Sequence, residues 1–469
     1  MPDRIEVRDL VVYVPGITGT ELRKDGRLLW GATAPAVARA ASSRAWRSSL
    51  ALSAHDDGSL DDLGDGVEVG DVIQAFHIFP GLEKAIGPAP LHETLFQRLE
   101  FTAPTAVLAG NYREFPYDWR RSNRYSARRL KRFVEEALKG WKDRTGYDHA
   151  RAILVAHSMG GLVCRYFLEV LGGWELCKAL FTIATPHRGS VAIAEFIANG
   201  YRLPLLDLSD VVRTLTSAYE LMAIYEVVEK DGRWTRIHET PELPRFDNAR
   251  AVAARAFHDE IHEGTKAPCA HRRVVPWVGH GQPTLQSLHW TDSRVQGGFD
   301  VPESVDAQRG DGDGRVPRVS GIPRELSDLL VETYAPDTHA GMQQNEFLLG
   351  NLAVHIGNLQ GRGLQHVAGY LPFDRQHAIG VNVHDAFAAS ETITFVLQPV
   401  VGYTEYEVIV RTESGTAMLE RRVVAATPTT VGLGSLPPGM YSLSIATYQQ
   451  DPNAPPNVVE VFGVIPENH

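Results

Sequence analysis

The sequence predicts a protein of the α/β class, with a mostly parallel central sheet flanked by helices and a small all-β sandwich after it. Two patterns lead to this prediction. Short continuous apolar runs alternate with helical patterns over most of the chain, as strands and helices do around a parallel sheet. After about residue 385 the chain instead shows short segments of alternating apolar and polar residues separated by turn residues, which is typical of a sandwich.

The apolar runs are short, and each ends at turn or small residues, as strands buried on both faces of a parallel sheet do. The first of them, residues 10–14 (LVVYV), stops at Pro15-Gly16. Further strands are predicted over residues 150–155, 179–184, 273–278 and 329–333. Helices are predicted over residues 125–138 and 162–171, and from about residue 343.

Two insertions interrupt this alternation. Residues 26–95 are irregular and hold an acidic segment at 56–65, whereas residues 191–262 are mostly helical in pattern. The second insertion follows a late strand, where a lid over an apolar pocket would lie; the alternative is extra packing without a gating role.

We assign the chain to an α/β domain, a linker and a sandwich, at residues 1–370, 371–385 and 386–469. Strands of the sandwich are predicted over residues 392–398, 405–410, 419–424 and 441–447.

Composition limits the classes of function. The chain has 469 residues, 43% hydrophobic and 22% charged, which is enough for a large core. Its net charge of −11, with acidic and basic residues interspersed, disfavours nucleic acid as a partner. The three cysteines are too few for a disulfide framework and lack metal-ligand spacing. We see no signal sequence or membrane span and expect a cytoplasmic protein, with peripheral contact with a membrane left open.

Residues 153–162 (ILVAHSMGGL) are the most informative stretch of the sequence. A buried strand runs into Ser158 and then into a helix, which is the context of a nucleophile elbow. The serine of such an elbow has a strained backbone, so the residues two positions before and after it must be small. Ala156 and Gly160 satisfy this requirement. Adjacent side chains diverge at the elbow, so we do not expect His157 to be the base.

An acid and a histidine should follow the serine in that order. Residues 310–317 (GDGDGRVP) offer Asp313 as the preferred acid and Asp311 as the alternative. Their spacing is similar to that of a calcium loop, but the later ligands of such a loop are missing. His339 follows the strand predicted at 329–333, where a loop can hold an imidazole over the edge of the sheet. Histidines further along the chain fall in helical or linker patterns and fit less well.

The tetrahedral intermediate of acyl transfer needs two backbone N–H donors. One is expected from Met159, directly after the serine, and the other from the loop after the first strand. In that loop the turn at Gly16 allows the amide of Ile17 to face the pocket. The proposed chemistry needs neither a metal nor an organic cofactor.

Together these motifs resemble the lecithin–cholesterol acyltransferase family of α/β-hydrolases. The landmarks occur in order over roughly residues 8–360: VPGITGTEL at 14–22, FPYDWR at 115–120, AHSMGG at 156–161, TPHRGS at 185–190, GDG at 312–314 and His339. Residues 217–221 and 281–284 look similar to further family segments more weakly. The chain after residue 385 lies outside the resemblance.

The resemblance implies acyl-ester chemistry on lipids, in which a fatty acyl chain is removed and passed to water or an alcohol. It also implies an α/β-hydrolase fold with a helical lid, an oxyanion donor at Ile17 and a structural role for Asp118 and Arg120 beside the site. The chain lacks the signal sequence and the lid cysteine pair of secreted members, which argues against extracellular work on lipoproteins.

A lipase or phospholipase is therefore the first hypothesis for the function. The same triad serves small-ester hydrolases, thioesterases and peptidases, so these remain alternatives. A hypothesis of a different class is an inactive hydrolase domain that acts as a scaffold, with the sandwich as the working part. For the sandwich itself, the alternatives are recruitment of a partner, contact with a membrane and stabilisation of the larger domain.

Overall fold

The fold is described from a computed structural model. It covers residues 4–31, 44–52, 56–74, 88–104, 110–203, 206–269, 273–291, 294–326, 334–361, 379–384, 386–412, 416–449 and 457–465. Among these residues, the strands up to position 335 are β1 (Ile5–Glu6), β2 (Leu10–Val14), β3 (Thr20–Lys24), β4 (Arg27–Trp30), β5 (Val67–Val72), β6 (Leu99–Glu100), β7 (Tyr112–Glu114), β8 (Ala152–His157), β9 (Cys177–Ile183), β10 (Arg202–Leu203), β11 (Leu206–Asp207), β12 (Val228–Lys230), β13 (Arg233–Thr235), β14 (Val274–Gly279), β15 (Ser287–Thr291), β16 (Arg294–Gly298) and β17 (Tyr334–Ala335). The α-helices are α1 (Arg44–Leu50), α2 (Ala89–Arg98), α3 (Asn123–Thr145), α4 (Met159–Glu169), α5 (Val191–Asn199), α6 (Ser209–Val212), α7 (Thr216–Glu220), α8 (Asn248–Thr265) and α9 (Glu346–Leu359).

The central sheet has the strand order β17-β14-β9-β8-β2-β7, and every pair of neighbours in it is parallel. This arrangement confirms the predicted α/β class. The strands predicted at 150–155, 179–184 and 273–278 lie within two residues of β8, β9 and β14. The strand predicted at 329–333 lies outside the described residues, and β17 begins directly after it.

Both faces of this sheet are covered, which explains the continuous apolar strands. Along β2, Leu10, Val12 and Val14 point into one core with helices α3, α4 and α8. Val11 and Tyr13 point into the opposite core with helices α2 and α9. Because successive side chains of a strand face opposite sides, a strand buried twice needs apolar residues at every position.

The insertion at residues 26–95 adds a small antiparallel sheet with the order β4-β3-β5. Its acidic segment attaches to the body of the protein through a buried ion pair, in which Arg121 Nε lies 3.0 Å from Asp56 Oδ2. The same carboxylate accepts the backbone N–H of Ser122 at the start of α3. The segment is thus a packed part of the fold where the structure describes it.

The insertion at residues 191–262 contains the helices α5 to α7 and most of α8, but it also contributes strands. β12 and β13 join β15 and β16 in a four-stranded sheet with the order β13-β12-β15-β16. The expected helical pattern is therefore only part of this segment. Its role as a lid stays a prediction.

The same insertion is anchored beside the start of α3. Ser217 Oγ donates to Trp119 O at 2.6 Å, and Glu220 accepts hydrogen bonds from Ser122 Oγ (2.8 Å) and Asn123 N (2.6 Å). Burial raises the pKa of Glu220 to about 7, although these hydrogen bonds favour its charged form. This carboxylate satisfies the N–H of Asn123 at the helix start, which has no partner inside the helix.

The end of the chain forms a separate hydrophobic core between two sheets. One sheet has three strands in the order β18-β20-β23, and the other has five in the order β19-β25-β24-β21-β22. The strands are β18 (Gly380–Val383), β19 (Ala386–Ala388), β20 (Ile393–Gln398), β21 (Glu405–Thr412), β22 (Ala417–Val424), β23 (Thr429–Gly434), β24 (Gly439–Thr447) and β25 (Val458–Ile465). The β18 strand lies inside the predicted linker at 371–385, and β19, β23 and β25 were not predicted.

Candidate active site

Ser158 stands between the last residue of β8 and the first residue of α4. Its backbone angles are φ 51° and ψ −126°, a strained conformation for a residue with a side chain. Helix α4 passes so close to the end of β2 that a Cβ on Gly160 would lie 2.4 Å from Val14 O. The geometry is that of the predicted nucleophile elbow, and Ser158 is 6% exposed.

The structure brings His339 and Asp313 to Ser158. His339 Nε2 lies 3.0 Å from Ser158 Oγ, and His339 Nδ1 lies 2.8 Å from Asp313 Oδ2. Asp313 is 2% exposed. Its Oδ1 accepts the backbone N–H groups of Arg315 (2.9 Å) and Val316 (2.7 Å), so its own turn fixes the carboxylate. The three side chains can pass a proton from the hydroxyl to the imidazole while the carboxylate orients the ring.

The alternative acid, Asp311, has other partners. Its Oδ1 lies 3.1 Å from Arg318 Nε, and its Oδ2 accepts the backbone N–H of Gly281 at 2.8 Å. Asp313 alone of the two carboxylates is hydrogen-bonded to His339 among the described residues.

His157 is hydrogen-bonded to the backbone of His339. Among the described residues, the hydroxyl of Ser158 is hydrogen-bonded to His339 and not to His157. His157 Nε2 donates to His339 O at 3.3 Å. Burial lowers the pKa of His157 to about 3, and the nearby His339 contributes to the shift. The ring is therefore neutral and suited to holding the loop of His339 in place.

The two predicted oxyanion donors lie on segments that meet at Ser158. Met159 is the first residue of α4, and the first N–H groups of a helix have no partner within the helix. A Cβ on Gly16 would lie 2.9 Å from Ser158 Cβ and 3.4 Å from Ser158 Oγ, so only glycine allows this approach. Ile17 follows Gly16 and is partly buried. Tyr117 holds this loop by donating to Pro15 O at 2.8 Å.

Asp118 and Arg120 form a buried pair that joins the first insertion to the body. Arg120 Nε and Nη2 lie 2.9 and 2.7 Å from the two oxygens of Asp118, a bidentate geometry. The same Nη2 lies 2.8 Å from Asp65 Oδ2 in the acidic segment. In the structure these two residues therefore hold the first insertion against the body of the protein.

Replacement of Arg120 by methionine is expected to lower the free energy of unfolding by about 3–5 kcal/mol, because it leaves the buried carboxylate of Asp118 without its partner. Urea unfolding followed by circular dichroism measures this change. The matched control is Arg132→Met, since Arg132 pairs with Asp61 of the same segment at 3.3 Å but both side chains are exposed. That change should leave the free energy of unfolding nearly unchanged, because an exposed ion pair contributes little to stability. Equal effects of the two variants would contradict the prediction.

Two further residues near His339 were not identified from the sequence. Asp337 Oδ1 accepts the backbone N–H of Thr338, and its Oδ2 accepts Asn345 Nδ2 at 3.1 Å. Burial raises the pKa of Asp337, and the charge of Asp313 adds to the shift. Asn345 also caps α9. The signal available in the sequence was a capping residue, Asn345, directly before an apolar helix.

Comparison with known proteins gives one family match. The model of the lecithin:cholesterol acyltransferase family matches residues 106–266, which include Ser158. A search of curated proteins gave no match.

Several solved structures are similar at low identity. The crystal structure of the Tle4–Tli4 complex is 16% identical, with 76% of this chain and 98% of that chain covered and a TM-score of 0.49. The lipase BlEst2 of Bacillus licheniformis in its propeptide form is 11% identical, with 98% and 95% covered and a TM-score of 0.34. The phospholipase PlaB of Legionella pneumophila is 9% identical, with 97% and 92% covered and a TM-score of 0.21.

The family match spans the elbow and the whole second insertion, and the motifs at 115–120, 156–161 and 185–190 also lie within the matched residues. This confirms the resemblance predicted from the motifs. The chain has an α/β-hydrolase fold and, over residues 106–266, is similar to the lecithin:cholesterol acyltransferase family.

Proposed function

We propose that the protein is a serine acyl hydrolase or acyltransferase that acts on lipid esters. The observation that carries the proposal is the position of His339 between Ser158 Oγ at 3.0 Å and Asp313 Oδ2 at 2.8 Å. A nucleophile, a base and an orienting acid in this order and within hydrogen-bond reach are the requirements of acyl transfer through a serine.

The reaction proceeds in two displacements. Ser158 Oγ attacks the ester carbonyl carbon while His339 Nε2 takes its proton, and Asp313 stabilises the charged imidazole. The N–H groups of Met159 and Ile17 hold the oxyanion. The imidazolium then protonates the departing alcohol, which leaves an acyl ester on Ser158. Water or an alcohol, deprotonated by His339, attacks this ester and restores the free hydroxyl.

The lipid character of the substrate is supported by the family match over residues 106–266. The low exposure of Ser158, 6%, means that the acyl group must enter a covered site. In the part of the chain that the structure describes, no helix is long and apolar enough to cross a membrane. Small-ester hydrolysis, thioester hydrolysis and an inactive scaffold are the alternatives to be tested.

Fatty-acid release from phosphatidylcholine vesicles, compared with hydrolysis of short and long p-nitrophenyl esters, tests the substrate class. We expect release from vesicles and faster turnover of the long esters. The control is the same protein after reaction with a fluorophosphonate, which blocks an activated serine. Turnover of short esters alone would reject the lipid substrate and retain the triad.

Mass spectrometry of the fluorophosphonate-treated protein tests the scaffold alternative. Only a serine activated by a base reacts at a useful rate. We expect the adduct on the peptide that carries Ser158. A protein that neither forms this adduct nor hydrolyses any of the esters would support the scaffold alternative.

A further inference from the structure

The outer edge of β18, the first strand of the sandwich, is hydrogen-bonded to the side chain of Gln282 from the α/β domain. β18 pairs with β20 on one side, and its other side faces residues 281–283. Gln282, 1% exposed, accepts the N–H of Val381 with Oε1 at 3.1 Å and donates Nε2 to Ile379 O at 3.2 Å. Its carboxamide therefore takes the place of a neighbouring strand, and it satisfies backbone groups that would otherwise be buried without partners.

The approach of the two segments is close. A Cβ on Gly380 would lie 3.1 Å from Gly281 O and 3.2 Å from Pro283 Cδ, and 2.9 Å from Gln398 Cβ on the paired strand β20. A larger residue at position 380 would therefore push β18 away from the loop that carries Gln282. Gly380 and Gln282 provide one variant on each side of the same contact.

The backbone of Gln282 holds the loop of the candidate acid. Its N–H donates to Gly312 O at 2.9 Å, and its carbonyl accepts the N–H of Gly312 at 3.2 Å. Thr284 Oγ1 donates to Gln282 O and accepts the N–H of Gly314, both at 2.9 Å. The residues on both sides of Asp313 are thus fixed from the segment 282–284.

We propose that Gln282 is a positioning residue that couples the C-terminal sandwich to Asp313, an inference that rests on the proposed role of Asp313 as the acid. The sandwich then completes the acid loop of the catalytic domain. One residue links the two parts, because its side chain binds β18 and its backbone binds Gly312. A displacement of the acid by about 1 Å is enough to lower the rate by about 10²-fold.

Glutamine has the chemistry that this position needs. A carboxamide presents one acceptor and one donor, which match the N–H of Val381 and the carbonyl of Ile379. In Gln282→Glu a carboxylate faces the carbonyl of Ile379, and in Gln282→Ala both backbone groups lose their partner. Either change favours separation of β18 from the loop, and Gln282→Glu does so at nearly constant volume.

The test measures kcat and KM for a short p-nitrophenyl ester in full-length protein, with kcat expressed per site that reacts with a fluorophosphonate. This normalisation removes the effect of any unfolded fraction. We expect Gln282→Ala, Gln282→Glu and Gly380→Val each to lower kcat by about 10- to 100-fold with KM nearly unchanged. The double variant Gln282→Ala/Gly380→Val should be no worse than the single ones, since both break one contact.

The control is Ile393→Val, which removes one methylene from the buried core of the sandwich, at a position of β20 outside the residues that pair with β18. It should leave kcat per reactive site unchanged. Unchanged kcat in the Gln282 variants and in Gly380→Val, in a protein whose Ser158 reacts normally, would overturn the coupling and retain the proposed function. A wild-type protein whose Ser158 does not react would overturn both. If a Gln282 variant fails to fold, the kcat of Gly380→Val decides whether the sandwich is coupled to Asp313.

Discussion

Replacement of Ser158 by alanine is expected to lower kcat for ester hydrolysis by about 10⁶-fold, which is the effect of removing a triad serine. Without Oγ, His339 has no hydroxyl to deprotonate and no acyl-enzyme can form. The measurement is turnover of a short p-nitrophenyl ester together with fluorophosphonate labelling. Activity within tenfold of the wild type would reject Ser158 as the nucleophile.

The strained backbone of Ser158 provides a second, independent readout. Alanine keeps the Cβ and with it the strain at φ 51° and ψ −126°, so its free energy of unfolding should be close to that of the wild type. In Ser158→Gly the strain of about 1–3 kcal/mol is relieved, offset by about 0.5–1 kcal/mol of backbone entropy. We expect Ser158→Gly to be inactive and more stable than Ser158→Ala by about 1 kcal/mol in urea unfolding. A less stable glycine variant would contradict the strained elbow.

Replacement of Asp313 by asparagine is expected to lower kcat by about 10⁴-fold, as loss of the triad carboxylate does in a serine protease. The asparagine can still accept the N–H groups of Arg315 and Val316 with its remaining oxygen. Its NH₂ group would then face His339 Nδ1 and favour the tautomer whose Nε2 carries the proton. That tautomer cannot take the proton of Ser158.

The matched control is Asp311→Asn, two positions away in the same loop. Asp311 is bound to Arg318 and to the N–H of Gly281, so its replacement should affect stability more than kcat. Steady-state kinetics on one soluble ester with both variants gives the comparison. A larger loss of kcat in Asp311→Asn would assign the acid to Asp311.

The elements best predicted from the sequence are those whose environment is local or uniform. β2 is apolar throughout and β8 is apolar up to Ala156, because both faces of the sheet are covered, and the elbow at Ser158 depends on its immediate neighbours. The sequence favoured Asp313 as the acid and left Asp311 as the alternative. Both lie in GDGDG, and the difference arises from Arg318 and Gly281, which the fold brings to Asp311.

Other features were missed because distant contacts determine them. β12 and β13 have three residues each, too few to show the alternation of apolar and polar residues that marks a strand. They pair with each other, and β12 also pairs with β15, which is distant in the sequence. β23 contains glycines that weaken a strand pattern. β18 falls in the segment assigned to a linker, and its outer edge is satisfied by Gln282, about 100 positions earlier in the chain, a contact that the local sequence does not show.

The order of strands in the central sheet also determines when the protein can fold during its synthesis. β2 is made first but lies between β7 and β8, so its second neighbour is complete only at residue 157. At about 5–20 residues per second, the ribosome needs roughly ten seconds or more to add that length. Until residue 114 the run LVVYV lacks both partners, and until residue 157 it still lacks β8, so it is a segment prone to aggregation during synthesis. Expression at lower temperature or with a chaperone that covers apolar segments should therefore raise the soluble yield.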